Sequence, residues 1–312
     1  MFRVKNYSEN EFAPITGFYL DLGRGETHSL APEILSFKKR LKRPGYAPLR
    51  NLFLVKRDKK VVALLDTVYE ENLDRLVLDF KSLPNVPRTE LFEDLFGRAD
   101  RLGQELGSKW IHISVADSDS TMRSLLEEMG LTHVRTLNEM LTGLDRDDWN
   151  GFVDETIKIG NFQSGDEANL AGLQNEIFNG SWGFNPNSAE DISYYIDITA
   201  SRWKDILYLQ QDGEWIGYVW THRLTAQDRR DPLPRARIHM FGIRPMFQNK
   251  GLGHRLLSAG LQHLKNSGAA QVELTVDQEN PAAISLYRSA GFVTESQTLW
   301  YEKSATLEGE SS

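Results

Sequence analysis

The stretch Gly242-Ile243-Arg244-Pro245-Met246-Phe247-Gln248-Asn249-Lys250-Gly251-Leu252-Gly253-His254 decides how the rest of the chain is read. Before it, Arg237 to Ile243 predicts a strand; after it, Gly251 to Lys265 predicts a helix. The turn between them ends in two glycines separated by one residue. Glycine there leaves no side chain between backbone N–H groups and an approaching phosphate. The unsatisfied N–H groups at a helix start carry roughly half a positive charge, which suits a pyrophosphate. Lys250 adds a full charge beside them. The same glycines also satisfy a tight strand-to-helix turn with no ligand, and the loop alone leaves both readings open. Two other loops fit worse. A Walker loop needs Gly-Lys-Ser/Thr where this chain has Gly253-His254-Arg255, and the dinucleotide fingerprint needs glycine where Leu256 stands.

Outward from the loop the pattern is mixed α/β. Downstream, Gln271 to Val276 reads as a buried strand and Asn280 to Ser289 as a helix closed by Gly291 in a left-handed cap. Phe292 to Ser296 and Thr298 to Glu302 read as two strands. Upstream, Thr156 to Phe162 is a predicted strand and Gly165 to Phe178 a helix. Ser188 caps a short helix to Thr199. Ile206 to Leu209 and Trp215 to His222 form a hairpin about Asp212-Gly213, a dipeptide that turns such pairs.

The first half of the chain repeats this plan. Arg3 to Tyr7 matches Lys158 to Phe162 at an offset of 155, and Val61-Val62-Ala63 is placed on Ile216-Gly217-Tyr218. Further on the offset is 161 and is read as ungapped: Pro84 falls on Pro245, Gly107 on Gly268, Val115 on Val276 and Gly130 on Gly291. The polar insert Thr225 to Arg235 absorbs the difference. Two tandem copies of one α/β fold follow, each a mixed, mostly antiparallel sheet flanked by helices. The expected boundaries are 1–143, a linker over 144–155, 156–303 and a disordered tail over 304–312. A single chain then resembles an intramolecular pseudo-dimer, which makes a monomer plausible, and the sequence leaves the oligomeric state open.

Composition narrows the chemistry. The 312 residues contain no cysteine, which excludes disulfides, thiolate metal sites and a cysteine nucleophile. A formal net charge of −8 with no long basic run argues against a nucleic-acid partner. Met1 to Glu11 alternates like a strand and reads as no signal peptide. No stretch approaches the roughly 18 apolar residues that span a bilayer. A soluble cytoplasmic protein with no membrane partner is expected. No His or carboxylate cluster has metal-ligand spacing, so no metal is expected.

Gln248-x-x-Gly251-x-Gly253, followed by Asn280-x-x-Ala283-x-x-Leu286-Tyr287 and Gly291-Phe292, resembles the GCN5-related N-acetyltransferase (GNAT) superfamily over Thr156 to Lys303. The resemblance implies acetyl-CoA as acyl donor and an amine as acceptor. It implies that the strand before the loop splays at a bulge and pairs with the pantetheine arm through Phe241, Gly242 and Ile243. Gln248, Asn249, Lys250, Gly251, Leu252, Gly253 and His254 would then hold the pyrophosphate. By the same resemblance Asn280 contacts the cofactor and Tyr287 protonates the departing thiolate; a core tyrosine is the plain alternative for Tyr287. The first copy lacks these features: Glu90, Phe92, Asp119 and Leu126 stand at the positions of Gly251, Gly253, Asn280 and Tyr287.

Without a cysteine relay, the acceptor must attack the thioester directly in a ternary complex. An amine with a pKa near ~10 must also lose a proton on the way. Relatives in the superfamily carry a glutamate where this chain has Arg237, so the expected base moves to His239, two residues later on the same face. A hydrogen-bonded strand histidine is the alternative. Trp182 and Phe184, in the aromatic loop Asn179 to Pro186, and Trp220 are candidate walls of a small-molecule amine site. Glu176 and Tyr194 are further candidates. The tandem layout also fits an acceptor bearing a cysteinyl amine, an aminoacyl-tRNA-dependent peptidyltransferase, or a non-catalytic acyl-CoA sensor. The intact pyrophosphate loop argues against the peptidyltransferases.

Overall fold

The computed structural model describes residues 2–22, 37–145, 156–224 and 233–305. In chain order the first repeat supplies β1 (Arg3–Asn6), α1 (Phe12–Leu22), α2 (Pro48–Asn51), β2 (Leu52–Arg57), β3 (Lys60–Glu70), β4 (Arg75–Ser82), α3 (Arg88–Leu106), β5 (Trp110–Ala116), α4 (Ser120–Glu128) and β6 (Thr132–Gly143). The second supplies β7 (Ile157–Asn161), α5 (Glu167–Ile177), α6 (Ala189–Ile198), β8 (Ile206–Gln211), β9 (Glu214–Arg223), β10 (Arg235–Ile243), α7 (Leu252–Asn266), β11 (Gln271–Asp277), α8 (Pro281–Ser289) and β12 (Val293–Ser304). The two strands expected after Gly291 are one continuous strand, β12. The linker residues 146–155, most of the polar insert (225–232) and the tail 306–312 lie outside the described residues.

Local chemistry sets the element ends. Ser188 closes a capping box with Asp191 at the start of α6. Gly107, Gly130, Gly268 and Gly291 follow helices with φ of +70°, +80°, +87° and +92°, the left-handed cap that glycine enters without strain. α3 buries Leu91, Phe92, Leu95, Phe96, Ala99 and Leu102 along one stripe at helical spacing.

The contacts divide the chain into two units, Met1–Leu137 with Gln297–Ser312, and Asn138–Ser296. Unit one orders its strands β1-β2-β3-β4-β5-β12, and unit two β6-β11-β10-β9-β8-β7. Each is antiparallel through its outer strands, with one parallel pair, β4–β5 and β10–β11 respectively. The sequence boundaries at 143 and 303 therefore differ from the contact boundaries. The last strand of each repeat runs into the other unit: Thr298 to Ser304 of β12 pairs with Ala116 to Trp110 of β5. An alternating pattern announces a strand but not whose edge it joins.

The pairing also corrects the repeat alignment. Leu52↔Asp66 and Ile206↔Trp220 are equivalent pairs, so β2–β3 map onto β8–β9 at an offset of 154, one less than the sequence reading. The apolar run Val61 to Leu65 is buried throughout and carries no alternation to reveal a one-residue slip. The 161 offset has a gap as well. Asp66↔Asp79 matches Trp220↔Met240 at 161, whereas Thr67↔Leu78 matches Thr221↔Ile238 at 160. His239 is the inserted residue.

Candidate active site

β10 pairs with β11 only from Arg235 to Ile238, where Ile238 sits beside Leu274. Its antiparallel ladder with β9 shifts register between Ile238 and Met240. His239 is thus a β-bulge, which breaks the alternation of side chains and re-aims the strand. His239 and Met240 both face the aromatic cluster of Trp220 and Tyr195. Beyond the bulge, Met240 to Ile243 no longer pairs with β11. The first repeat has no such shift in β3–β4.

Gly251 is the N-cap of α7 at φ +77°, and no side chain caps the helix. A Ser or Asp cap would gain only roughly a few tenths of a kcal/mol over glycine, and the left-handed φ of +77° would strain it. A Cβ on Gly251 would meet nothing within 4 Å, so the left-handed φ and not crowding selects glycine here. Gly253 has a different reason: its Cβ would lie 3.3 Å from Leu286 Cδ2 and 3.9 Å from Phe241 Cζ, so this glycine lets α7 pack on α8 and β10. Asn249 is also left-handed, at φ +58°. Gln248 Nε2 donates to Ile243 O at 3.0 Å and ties the loop to the strand end. Lys250 is exposed, its Nζ 5.2 Å from the Phe247 ring centroid. His254 Nε2 lies 3.1 Å from Ser289 Oγ, and Leu252 is buried in the core.

In the first repeat α3 begins at Arg88, where the second still has loop, and Glu90 lies in its first turn. The helix has grown through the loop. Phe92 fills the core against Phe80 and Phe96, with ring centroids 5.1 and 5.8 Å away. At the positions of Trp220, Met240 and Gly242 stand Asp66, Asp79 and Lys81. They are locked in a network: Tyr46 Oη donates to Asp66 at 2.5 Å, Arg40 lies 3.4 Å from Asp66 and 3.2 Å from Asp79, and Lys81 is 2.5 Å from Asp79.

Tyr287 lies on α8, 6.1 Å from Phe241 and 5.8 Å from Phe292 between ring centroids. Only 6% of it is exposed, and burial pushes its hydroxyl pKa up, so the phenol stays protonated. Asn280 caps α8, its Oδ1 accepting from Ala283 N at 3.0 Å. Asp119 caps α4 in the same way, accepting from Met122 N at 3.2 Å. The cap alone therefore accounts for a short polar residue in both copies.

The His239 ring lies 5.0 Å from Trp220, 6.0 Å from His222 and 6.1 Å from Tyr195 between centroids. Burial first, then the neighbouring His222 and Arg237, push its pKa down to about 3. The imidazole is neutral at physiological pH. That is the form that can take a proton, though a weakly basic one. Arg237 donates to Glu273 at 2.8 Å and to Thr275 Oγ1 at 2.5 Å, and lies 3.5 Å from Glu139.

The expected acceptor walls divide. Phe184 stacks obliquely on Phe178 at 5.3 Å, and the Phe178 ring reaches within 3.4 Å of a Cβ position on Gly242. That pair covers the splayed strand. Trp182 is half-buried in the same loop. Trp220 is wholly buried and donates to Ser201 Oγ at 2.9 Å, so it is a core residue beneath His239 and exposes no wall. Glu176 pairs with Arg244 at 3.2 Å, and Tyr194 packs edge-on against Tyr195. Sequence reasoning missed the clamp under the loop. Asn175 and Asn187 exchange bonds of 2.9 and 2.8 Å, and Asn187 Nδ2 donates to Gln174 Oε1 at 2.9 Å. Three amides at helical and loop positions gave no periodic signal.

A bulged strand with a free inner edge, an uncapped helix start behind a left-handed glycine, and a buried tyrosine beside that strand define an acyl-CoA-dependent acyltransferase. Residues 173–292 match the Acetyltransferase (GNAT) family model. The mycothiol acetyltransferase of Streptomyces coelicolor is 30% identical over 234 residues, 69% of this chain and 71% of that protein. Its namesake from Propionibacterium freudenreichii is 27% identical over 57% of each chain. Among solved structures, a tandem GNAT protein from the clavulanic acid biosynthesis pathway superposes at TM-score 0.73 with 14% identity, covering 99% of this chain and 100% of the other. A GCN5-related N-acetyltransferase from Sphaerobacter thermophilus gives 0.71 with 18% identity, over 98% and 96%. The chain belongs to the GNAT family of acetyltransferases, with acetyl-CoA as its acyl donor. No helix among the described residues is long and apolar enough to cross a membrane.

Proposed function

We propose that unit two acetylates a primary amine of a small molecule in the cytoplasm, by direct attack within a ternary complex. The observation that carries this reading is the conjunction at β10: its pairing with β11 stops at Ile238, its bulge presents His239, and Tyr287 flanks Phe241. The open N–H groups from Gly251 onward, with Lys250, fit a pyrophosphate. Bound acetyl-CoA supplies an activated thioester carbonyl. The free backbone of Phe241 to Ile243 fixes the donor along the splay. His239, neutral and on the loop-covered face, accepts the proton of the amine, directly or through water. Tyr287, protonated throughout the neutral range, donates to the leaving sulfur. Phe178 and Phe184 cover the splayed strand on that face.

A cysteinyl amine is a second acceptor reading, favoured by the mycothiol acetyltransferase of Streptomyces coelicolor matching over 71% of its length. Incubating the protein with acetyl-CoA and a panel of amines, amino sugars and cysteinyl conjugates, read by product mass, tests both. A single acetylated amine is expected. Acetyl-CoA binding with no turnover anywhere in the panel would favour a sensor instead.

A further inference from the structure

The hairpin between β2 and β3 breaks two local rules at one place. Both residues of its turn, Asp58 and Lys59, have positive φ, +51° and +70°. The counterpart turn between β8 and β9 has the same register and the same left-handed pair, but fills it with Asp212 and Gly213. Glycine adopts that conformation freely, whereas a lysine Cβ strains it. On the neighbouring strand, Arg3 lies directly opposite Lys56, and like charges facing across an antiparallel pair repel.

Both departures gather cations around one recess of about 400 Å³, lined by Phe2, Arg3, Lys5, Lys56, Asp58 and Lys59. Buried Glu11 takes Lys5 and, at 2.7 Å, Lys56. Arg3 and Lys59 have no ion-pair partner among the described residues. Four cations against Asp58 and Glu11 leave a net positive recess on a chain of charge −8. β1 is the edge of unit one, and lysines on an edge strand deter pairing with other chains. That role asks for outward charge. It does not ask for lysine at a left-handed turn position.

We propose that this recess is an anion site, holding the phosphate of a small soluble phosphorylated metabolite among Arg3, Lys56 and Lys59, with Phe2 against its apolar part. A phosphate dianion there offsets the Arg3–Lys56 repulsion and gives Lys59 a partner. The guanidinium fork matches phosphate oxygens, the Lys59 ammonium is a point charge able to swing onto them, and Glu11 holds the Lys56 ammonium beside the recess. The volume lies within the range of small-molecule sites.

Inorganic pyrophosphate is the probe, titrated calorimetrically into the full chain carrying Gly251→Glu so that the acetyl-CoA loop does not contribute. One site is expected, weakened by salt and at least about fivefold weaker in Lys59→Gly and in Arg3→Gln. Lys59→Gly should also melt higher than its parent, which separates lost binding from lost folding. In the wild-type chain, pyrophosphate should shift the backbone amide resonances of Arg3 to Lys5 and of Lys59. Absence of binding, equal binding in both variants, or capture by phosphatidylglycerol vesicles without pyrophosphate binding overturns the site.

Discussion

His239 and Trp220 meet edge to face, ring centroids 5.0 Å apart and planes at 73°, although they are not partners in the ladder. Trp220 pairs with Met240, and His239 is the residue left over in the bulge. One inserted residue thus accomplishes two things. It presents an imidazole to the loop-covered face, and it marks where β10 stops pairing with β11.

The low pKa of His239 fixes the shape of the rate profile. Because the ring is neutral above about pH 4, it contributes no acid limb between pH 5 and 8. The rate kcat/KM should instead climb with pH as the acceptor amine loses its own proton. A limb centred near 6.5 that disappears in His239→Gln would contradict this assignment. His239→Ala should lower turnover by roughly 10²- to 10⁴-fold.

The same shift has a consequence for stability. In the unfolded chain His239 titrates near 6.5, in the folded one near 3. Between these values the unfolded state binds the extra proton, so stability falls as pH drops through that window and is fully present above it. Thermal melts of wild type and His239→Gln from pH 7 to pH 4 should therefore converge or cross, the wild type losing more. Parallel curves would place the ring in contact with solvent.

Tyr287→Phe keeps the packing against Phe241 and Phe292 and removes only the hydroxyl. Turnover should fall by roughly 10²-fold while acetyl-CoA affinity and melting temperature stay at wild-type values. Unchanged turnover would return Tyr287 to the core.

Asn280→Ala and Asp119→Ala each delete a helix cap and should each cost about 1 kcal/mol of stability by denaturant titration. Only Asn280→Ala should also weaken coenzyme A binding. Equal, wild-type affinity in both would leave Asn280 a cap and nothing more.

Much of this was legible in the residues. Gly251 and Gly253 predicted a strand, a turn and an open helix start, and the family resemblance named the splay. The particular reasons were less accessible. Both glycines looked like room for phosphate, yet Gly253 serves the contact with Leu286. Trp220 looked like a pocket wall, yet its indole is enclosed by the cluster over α5, because an aromatic at an alternating position does not announce which layer covers it. The bulge could not be read either. A single inserted residue is invisible when the flanking apolar pattern tolerates a slip, and Val61 to Leu65 hid the other slip for the same reason. The exchange of β6 and β12 depends on which edge lies open after the rest has folded, and that is a long-range property.

The first repeat supplies an internal control, since it kept the sheet but extended α3 through the loop and put Glu90 where Gly251 stands. Coenzyme A binding by calorimetry, wild type against Gly251→Glu, tests the central claim most directly. Wild type should bind one coenzyme A per chain and the variant none, with both still melting cooperatively and the variant somewhat lower, because glutamate strains the left-handed φ of +77°. Equal affinity in the folded variant would contradict it, because the pyrophosphate would then rest somewhere other than the start of α7.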